Sequence, residues 1–372
     1  MIIDFDDFPV HQTGAPFDHA ATSDVRFFDR FWFSVMDPQH RFGLIAGLGV
    51  YKNMDVMDGF VSVHHGGRQT NVRVSRRLRP DWLPFGAGPY SVHIVSPMRE
   101  HRLVLTQNVH GLACDLTLIA TGRPFNADHY LTRDRGWVEK DYHRLFQLAR
   151  ATGWVEVDGE RFESGPQGWP AGRDRSFGVR PGVGGANPKR GKTIESGVGA
   201  HEALVIGTLF ETAEHYGTFA VSEDAAGAQI FLSSTIHDRA GQHREVSSLV
   251  HALRFVPDGL AFVGGSLEMR DTTGTTWRME VQPTATFIYQ GFGYIDGWAD
   301  KQGLGAWRGE FAMEGDRYDL RDPAHMLDES GRHQFGGHGM LHSHFDMQLN
   351  GRPGHGEGVV LLMAQHPRYG LG

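Results

Sequence analysis

An all-β protein is what this sequence predicts, folded as two consecutive antiparallel β-barrels with one short helix. Three observations carry that expectation. Apolar and polar residues alternate with period two, in β-branched and aromatic runs, along most of the chain. Its 49 glycines and 24 phenylalanines are spread without low complexity, as many short strands and tight turns require. At 372 residues the chain exceeds what one hydrophobic core accommodates, so two domains are expected.

The first strand is the run Arg30-Phe31-Trp32-Phe33-Ser34-Val35-Met36, closed by Asp37-Pro38. Apolar or alternating runs follow at 41–51, 59–64, 69–77, 90–95, 102–109 and 112–121, separated by Gly-Gly, Ser-Pro and Asn-to-Gly turns. The segment 139–152 reads as the one helix. Tyr142, Leu145, Phe146, Leu148 and Ala149 fall on one face, and Gly153 supplies a stop. A short hairpin spans 154–162 around Asp158-Gly159. Residues 181–201 are glycine-rich and poor in large apolar side chains, which reads as a linker. Domains of 1–180 and 202–372 are therefore expected, the second built from further strands between 204 and 364.

The formal charge of -8, with no basic block longer than Arg76-Arg77, argues against nucleic acid and against a polybasic membrane anchor. No run of 18 apolar residues predicts a membrane span. The acidic start MIIDFDDFPVHQTG lacks a secretory pattern, which points to the cytoplasm. The single cysteine, Cys114, lies in an apolar run and reads as a buried thiol. Nucleophile elbow, Walker loop and His-Glu-x-x-His signatures are absent, and Gly291-Phe292-Gly293 lacks the third glycine of a dinucleotide fingerprint. No cofactor is expected. Composition leaves a homodimer open.

Three clusters could carry chemistry. Arg173-Asp174-Arg175, followed by Phe177, places two guanidinium groups on one face of a strand and a carboxylate on the other. It reads either as a salt-bridge latch between two barrels or as ligand contact. A carboxylate flanked by two arginines would be held ionised, suiting a base or an anchor. The run from His338 to Asp346 places His342, His344 and Asp346 on one strand face. Those three positions span about 13 Å, too far for one ion without a bend. No metal site is expected there; a hydrogen-bonded strand face or an acid/base pair is. In Tyr289 to Trp298, Tyr294, Asp296 and Trp298 share a face if extended. Desolvation between aromatics would raise the Asp296 carboxyl toward acid duty, whereas a turn before Gly297 would make the run an aromatic core strand. Trp32 and Tyr51 read as wall packing or ligand contact.

The hairpin Gly153-Trp154-Val155-Glu156-Val157-Asp158-Gly159, followed by Arg173-Asp174-Arg175-Ser176-Phe177-Gly178, resembles the signature of the AttH and carotenoid 1,2-hydratase (hydroxyneurosporene synthase) family. That resemblance covers roughly 153–178 and implies two consecutive lipocalin-like barrels around a hydrophobic pocket. Asp174 matches the family aspartate. Arg175 and Phe177 stand where the family carries His and, two positions later, Trp. Known members or relatives include a carotenoid hydratase and fungal cyclases that shape polyketides. The expected function is thus a cofactor-independent lyase, hydratase, isomerase or cyclase acting on an apolar terpenoid, steroid or polyketide-like molecule. Candidate catalytic residues are Asp174, Asp296, His342 and His344. Arg173, Arg175, Phe177, Trp32, Tyr51, Tyr294 and Trp298 are candidate ligand contacts. The alternative is a non-catalytic carrier with the same pocket.

Overall fold

Alternation along the chain is realised almost entirely as antiparallel sheet in the computed structural model, which describes residues 2–9, 16–134, 136–184, 202–257, 259–331, 340–363 and 365–370. Helix among the described residues is limited to single 3-10 turns at Asp4–Asp7, Lys52–Met54 and Tyr289–Phe292. Two compact units form. One comprises Met1–Ile194 with Tyr289–Arg317, and the other Glu195–Ile288 with Tyr318–Gly372. Tyr289–Arg317 therefore packs into the first unit although it falls, in sequence, within 202–372.

The first unit contains β1 (Phe27–Met36), β2 (Phe42–Tyr51), β3 (Val56–His65), β4 (Arg68–Arg77), β5 (Gly86–Ala87), β6 (Tyr90–Ser96), β7 (Glu100–Leu105) and β8 (Leu112–Ala120). It continues with β9 (Phe125–Asn126), β10 (Tyr130–Asp134), β11 (Trp137–Val157), β12 (Glu160–Glu163) and β13 (Trp169–Val179). The hydrogen-bonded order β4-β3-β2-β1-β13-β11-β8-β7-β6-β5 winds around one apolar core. Phe31, Phe33, Leu44, Leu48, Val61, Leu103, Leu116 and Val155 fill it. Cys114 belongs to this core, and burial pushes its thiol up to about 12, so it is inert.

The expected helix at 139–152 is instead the middle of β11, a 21-residue strand. It pairs with β13 from Asp141 to Ala151 and with β8 from Ala149 to Val157. Tyr142, Leu145 and Leu148 fit a helical spacing, but Leu145, Gln147, Ala149 and Ala151 also alternate, and two waiting neighbours decide for the strand. Gly153 bends it rather than ending it. Its φ of 125° is glycine territory, and a side chain there would strike the Asp115 carbonyl.

Strands β1 to β4 are buried on both faces, so their sequences read as long apolar runs. Their inner face meets the core. The outer face carries Phe28, Arg30, Trp32, Tyr51, Asp58, Phe60, Asn71 and Arg73, all buried. Tyr289–Arg317 lies over that face as a strap. Gly305 donates its N–H to Asp58 at 2.6 Å, and Asp316 accepts from Asn71 at 2.8 Å and from Arg73 at 2.9 Å.

The second unit holds β14 (Leu204–Thr212), β15 (His215–Glu223), β16 (Gln229–Asp238), β17 (His243–Phe255), β18 (Phe262–Asp271) and β19 (Thr276–Ile288). The chain passes through β20 (Phe311–Asp319), whose first seven residues belong to the first unit and which adds beside β4, and the short β21 (Leu327–Asp328) before β22 (Leu341–Leu349) and β23 (Arg352–Leu362) complete the second unit. Strands β14-β15-β16-β17-β18-β19-β22-β23 close into an eight-stranded barrel, with Leu204 against Leu362 at the closure. Ile206, Phe219, Ile236, Leu249, Met279 and Phe345 point inward and make its core. No helix among the described residues is long and apolar enough to cross a membrane.

Candidate active site

Strand β1 sets the geometry. Period two sends Phe31 and Phe33 inward and Phe28, Arg30 and Trp32 outward, under the strap. Across the ladders Trp32 stands opposite Gly47 on β2 and Asp174 on β13, and Asp174 opposite Phe146 on β11. Trp32, Asp174 and Phe146 therefore share the outer face.

Over this face Trp32 packs edge-on against Phe292 at 5.3 Å and Phe60 at 5.6 Å, and stacks on Tyr289 at 6.2 Å. Tyr289 meets Tyr294 at 4.8 Å. The Tyr294 hydroxyl is the focus. Arg30 donates to it from Nη1 at 2.9 Å and Arg180 from Nη2 at 3.1 Å. Both guanidinium groups also lie over aromatic rings, Arg30 over Phe60 at 5.5 Å and Arg180 over Phe28 at 4.8 Å. Burial alone would raise the Tyr294 phenol, but Arg180 and Arg30 outweigh it and pull it down to about 8.

Asp58 lies deeper, behind Arg30. Burial raises its carboxyl pKa against the opposing effects of Arg30 and the Gly305 N–H. The Tyr51 phenol lies against it and is pushed up by burial and by Asp58 itself. Gly305, at φ 69°, lets the strap approach so closely that a side chain there would meet the Tyr51 ring at 2.6 Å. At the rim, Arg144 approaches Asp174 at 3.6 Å. Burial opposes the Arg144 charge, and Asp174 with the phenols of Tyr142, Tyr130 and Tyr289 holds it in place. Asp174, Arg144, Tyr289, Tyr294 and Arg180 are each half-buried, whereas Arg30, Asp58 and Tyr51 are fully covered.

Four expected residues thus gather here: Trp32, Tyr51, Tyr294 and Asp174. Trp298 joins them from the strap, buried with Arg308 at 4.1 Å over its ring. Asp296 does not. The strap turns rather than extends, and Gly297 N–H closes on the Tyr294 carbonyl at 2.8 Å. Asp296 sits exposed in that turn at φ 66°, in solvent rather than between the aromatic rings.

The Arg173-Asp174-Arg175 cluster is divided by its strand. Arg173 and Arg175 turn to the inner face and Asp174 does not lie between them. Arg173 pairs with Asp7 at 2.7 Å and donates to Gln147 at 2.9 Å. Arg175 pairs with Asp29 and lies over Phe31 at 4.6 Å and Phe177 at 5.8 Å. Asp7 also receives the Met98 N–H at 2.6 Å and meets His101 at 2.8 Å. Burial works against the Asp7 charge, yet His101, Arg173 and that N–H hold its carboxyl well below the usual range. Burial and the two arginines lower the His101 pKa despite Asp7. These are ion pairs within the first unit, on the face opposite Asp174.

His342 and His344 belong to the second unit, on the outward face of β22. His342 Nε2 meets Glu357 on β23 at 2.8 Å, and His344 lies edge-on to Phe287 at 5.2 Å. Asp346, on the same face, is exposed. Among the described residues no group of three or more His, Cys, Asp or Glu side chains gathers as a metal would need, and His338 lies outside them.

Arg30, Arg180, Asp58, Arg144, Asp7 and Asp29 were not singled out from sequence. A signal existed for some of them: Asp29-Arg30 and Asp58 interrupt runs that are otherwise apolar on both faces, where an ionised group must find a partner.

Such a wound sheet followed by a closed barrel is the tandem lipocalin-like architecture. A Nitrosomonas europaea protein designated AttH superposes with TM-score 0.52 at 9% identity, over 96% of this chain and 99% of its own. CghA with bound Sch210972 superposes with TM-score 0.51 at 11% identity, over 97% of this chain and 96% of its own. Kievitone hydratase of Nectria haematococca covers 96% of this chain and 94% of its own at 9% identity, with TM-score 0.43, too distant to carry weight. No curated protein matches the sequence. The fold is that of the AttH-like proteins. Within it, the chain belongs to the family of unknown function DUF8625, whose model matches residues 2–335.

Proposed function

We propose that this protein is a cofactor-independent lyase, hydratase, isomerase or cyclase for an apolar small molecule, with Tyr294 as its proton donor. One observation carries the reading: a half-buried phenol held between two guanidinium groups and among aromatic rings. A phenol near pKa 8 is largely protonated at neutral pH yet a stronger acid than a free tyrosine. In the hydration direction its O–H proton passes to an alkene carbon, and the remaining phenolate is stabilised by Arg30 and Arg180. Water adds to the cationic carbon and returns its surplus proton to Tyr294. Dehydration is the reverse, and isomerisation or cyclisation quenches the cation by loss of a substrate proton instead. Tyr289, half-buried and packed on Trp32 and Phe292, offers a face for an apolar skeleton and π-density for a developing cation. Asp174 with Arg144 would orient a polar substituent or the attacking water at the rim. CghA with Sch210972, on the same fold, is a small-molecule complex.

The test is incubation with a panel of terpenoid, steroid and polyketide-like alkenes and alcohols in heavy water, followed by mass spectrometry. Deuterium incorporation or water addition, lost in Tyr294→Phe and declining above about pH 8, is expected. Turnover unchanged in Tyr294→Phe contradicts the assignment. Binding without any exchange in wild type favours a carrier.

A further inference from the structure

The closed barrel has one weak seam. Strand β15 pairs with β16 from His215 to Glu223, but β16 pairs with β17 only at Thr235–Glu245, Ile236–Arg244 and His237–His243. Past those pairs the strands diverge, leaving the β17 backbone at His251 and Leu253 without a strand partner on that side. Tyr369, near the C-terminus, takes that place. Its hydroxyl accepts the Leu253 N–H at 3.2 Å and donates to the His251 carbonyl at 3.3 Å, while His251 Nδ1 approaches it at 2.7 Å. Tyr369 also packs beside Phe255, against the barrel core.

Charge fastens this plug. Glu223 shares the inward parity of Phe219 and Val221 at the end of β15. It receives His251 and His366, each at 2.9 Å, and Arg368 at 2.8 Å. Behind the plug the wall is mostly apolar, yet hydroxyls face inward from it. Thr286 and Ser343 face each other at 3.4 Å, whereas Thr208 and Ser234 do not pair. Thr208 stands opposite Phe219, and Phe219 opposite Ser234, in one row across β14, β15 and β16. Each residue is 6% exposed, and neither hydroxyl oxygen has a hydrogen-bond partner. A buried hydroxyl without a partner in an apolar wall is unfavourable unless something supplies one. Inward residues near the seam also keep some accessibility, Leu249 at 7% and Leu253 at 8%, whereas Leu44 and Val63 in the first core show none.

We infer that the interior of the second barrel binds an apolar small molecule bearing one hydroxyl, carbonyl or amine. Thr208 and Ser234 hold that group, the ligand enters through the gap between β16 and β17, and the C-terminal segment carrying Tyr369 closes it. The site stands apart from Tyr294 and does not depend on the reaction proposed there.

Fluorescence titration and stopped-flow mixing with 1-aminoanthracene, an apolar ring system with one amine, test this in the full chain. Wild type should bind with a blue-shifted emission. Thr208→Val, nearly isosteric, should weaken binding about tenfold by removing one hydrogen bond. Ser234→Leu, which fills the interior, should abolish it while circular dichroism stays that of wild type. Tyr369→Ala should speed entry severalfold. A probe bound by Tyr369→Ala and not by wild type also supports the plug. Absence of binding in both proteins overturns the site, as does affinity unchanged in both Thr208→Val and Ser234→Leu. An entry rate unchanged in Tyr369→Ala overturns the gate.

Discussion

The two faces of β13 put three consecutive charges into different physical situations. Inward, Arg173 and Arg175 are almost wholly buried and each has its own carboxylate, Asp7 and Asp29. Outward, Asp174 keeps 17% of its side-chain exposure and meets Arg144, at 25%, across 3.6 Å. One face is a fixed ionic frame inside a core, and the other is a half-buried charge pair at the edge of a buried aromatic layer. In a strand covered on both sides, neighbouring charges in sequence are separated by the pleat and answer to different partners. Function on this chain should therefore follow the outer set, and stability the inner.

Removing Asp29 should have the largest effect on stability. Asp29→Ala leaves the buried Arg175 without its counter-charge, which typically costs about 3–5 kcal/mol and can unfold a marginal domain. A denaturant midpoint close to wild type would show that the inner pair is not structural. Trp32→Ala, on the outer face, should cost a comparable or slightly smaller amount, about 3 kcal/mol, by opening a cavity under Phe60 and Phe292. Binding of any substrate should fall with it, unlike in a purely inner-face variant.

Acid should discriminate the faces next. His101 has its pKa lowered from 6.5 in the fold, so its neutral form is favoured and stability declines as pH falls below that value. Asp7 is depressed from 3.8, so its contribution is complete above that pH and is lost as pH falls through its lower folded value. Both losses run in the same direction. Chemical denaturation between pH 7 and pH 3 should show a falling midpoint, with a steeper fall below pH 6.5 in Asp7→Asn, which removes the carboxylate that opposes the lowering of the His101 pKa, from an already lower starting stability. A slope unchanged by that substitution would remove Asp7 from the account. The smallest effect belongs to Asp174→Asn. A partly solvated pair at 3.6 Å should contribute under about 1 kcal/mol, leaving the midpoint near wild type while substrate handling changes. A large loss of stability would place Asp174 in the frame after all.

Much of the architecture was legible in the amino-acid sequence, because strands such as β1 and β4 announce themselves by alternation and closing turns. The one helix expected, at 139–152, failed for a definable reason: its apolar positions satisfy both periods, and only the neighbours β8 and β13, distant in sequence, choose between them. The candidate site was half legible. Trp32, Tyr51, Asp174 and Tyr294 stood out as aromatics or charges in distinctive runs, but nothing local reveals that 289–317 folds back onto β1–β4. Without that strap Arg30 is a charge in an apolar strand; with it, Arg30 joins Arg180 on one phenol. Asp296 misled for the same reason, since a turn and an extended strand share its short sequence.

The proposed chemistry requires Tyr294 to be an acidic phenol, and ultraviolet titration of tyrosinate in the native protein measures that directly. Two arginines on one hydroxyl predict a single tyrosine ionising near pH 8, separate from Tyr51, Tyr90, Tyr216 and Tyr369, whose phenols are all pushed upward by burial. That step should vanish in Tyr294→Phe and move upward in Arg180→Met. A native protein with no tyrosine ionising below pH 10, or one whose early step survives Tyr294→Phe, would contradict the proposed chemistry at its source.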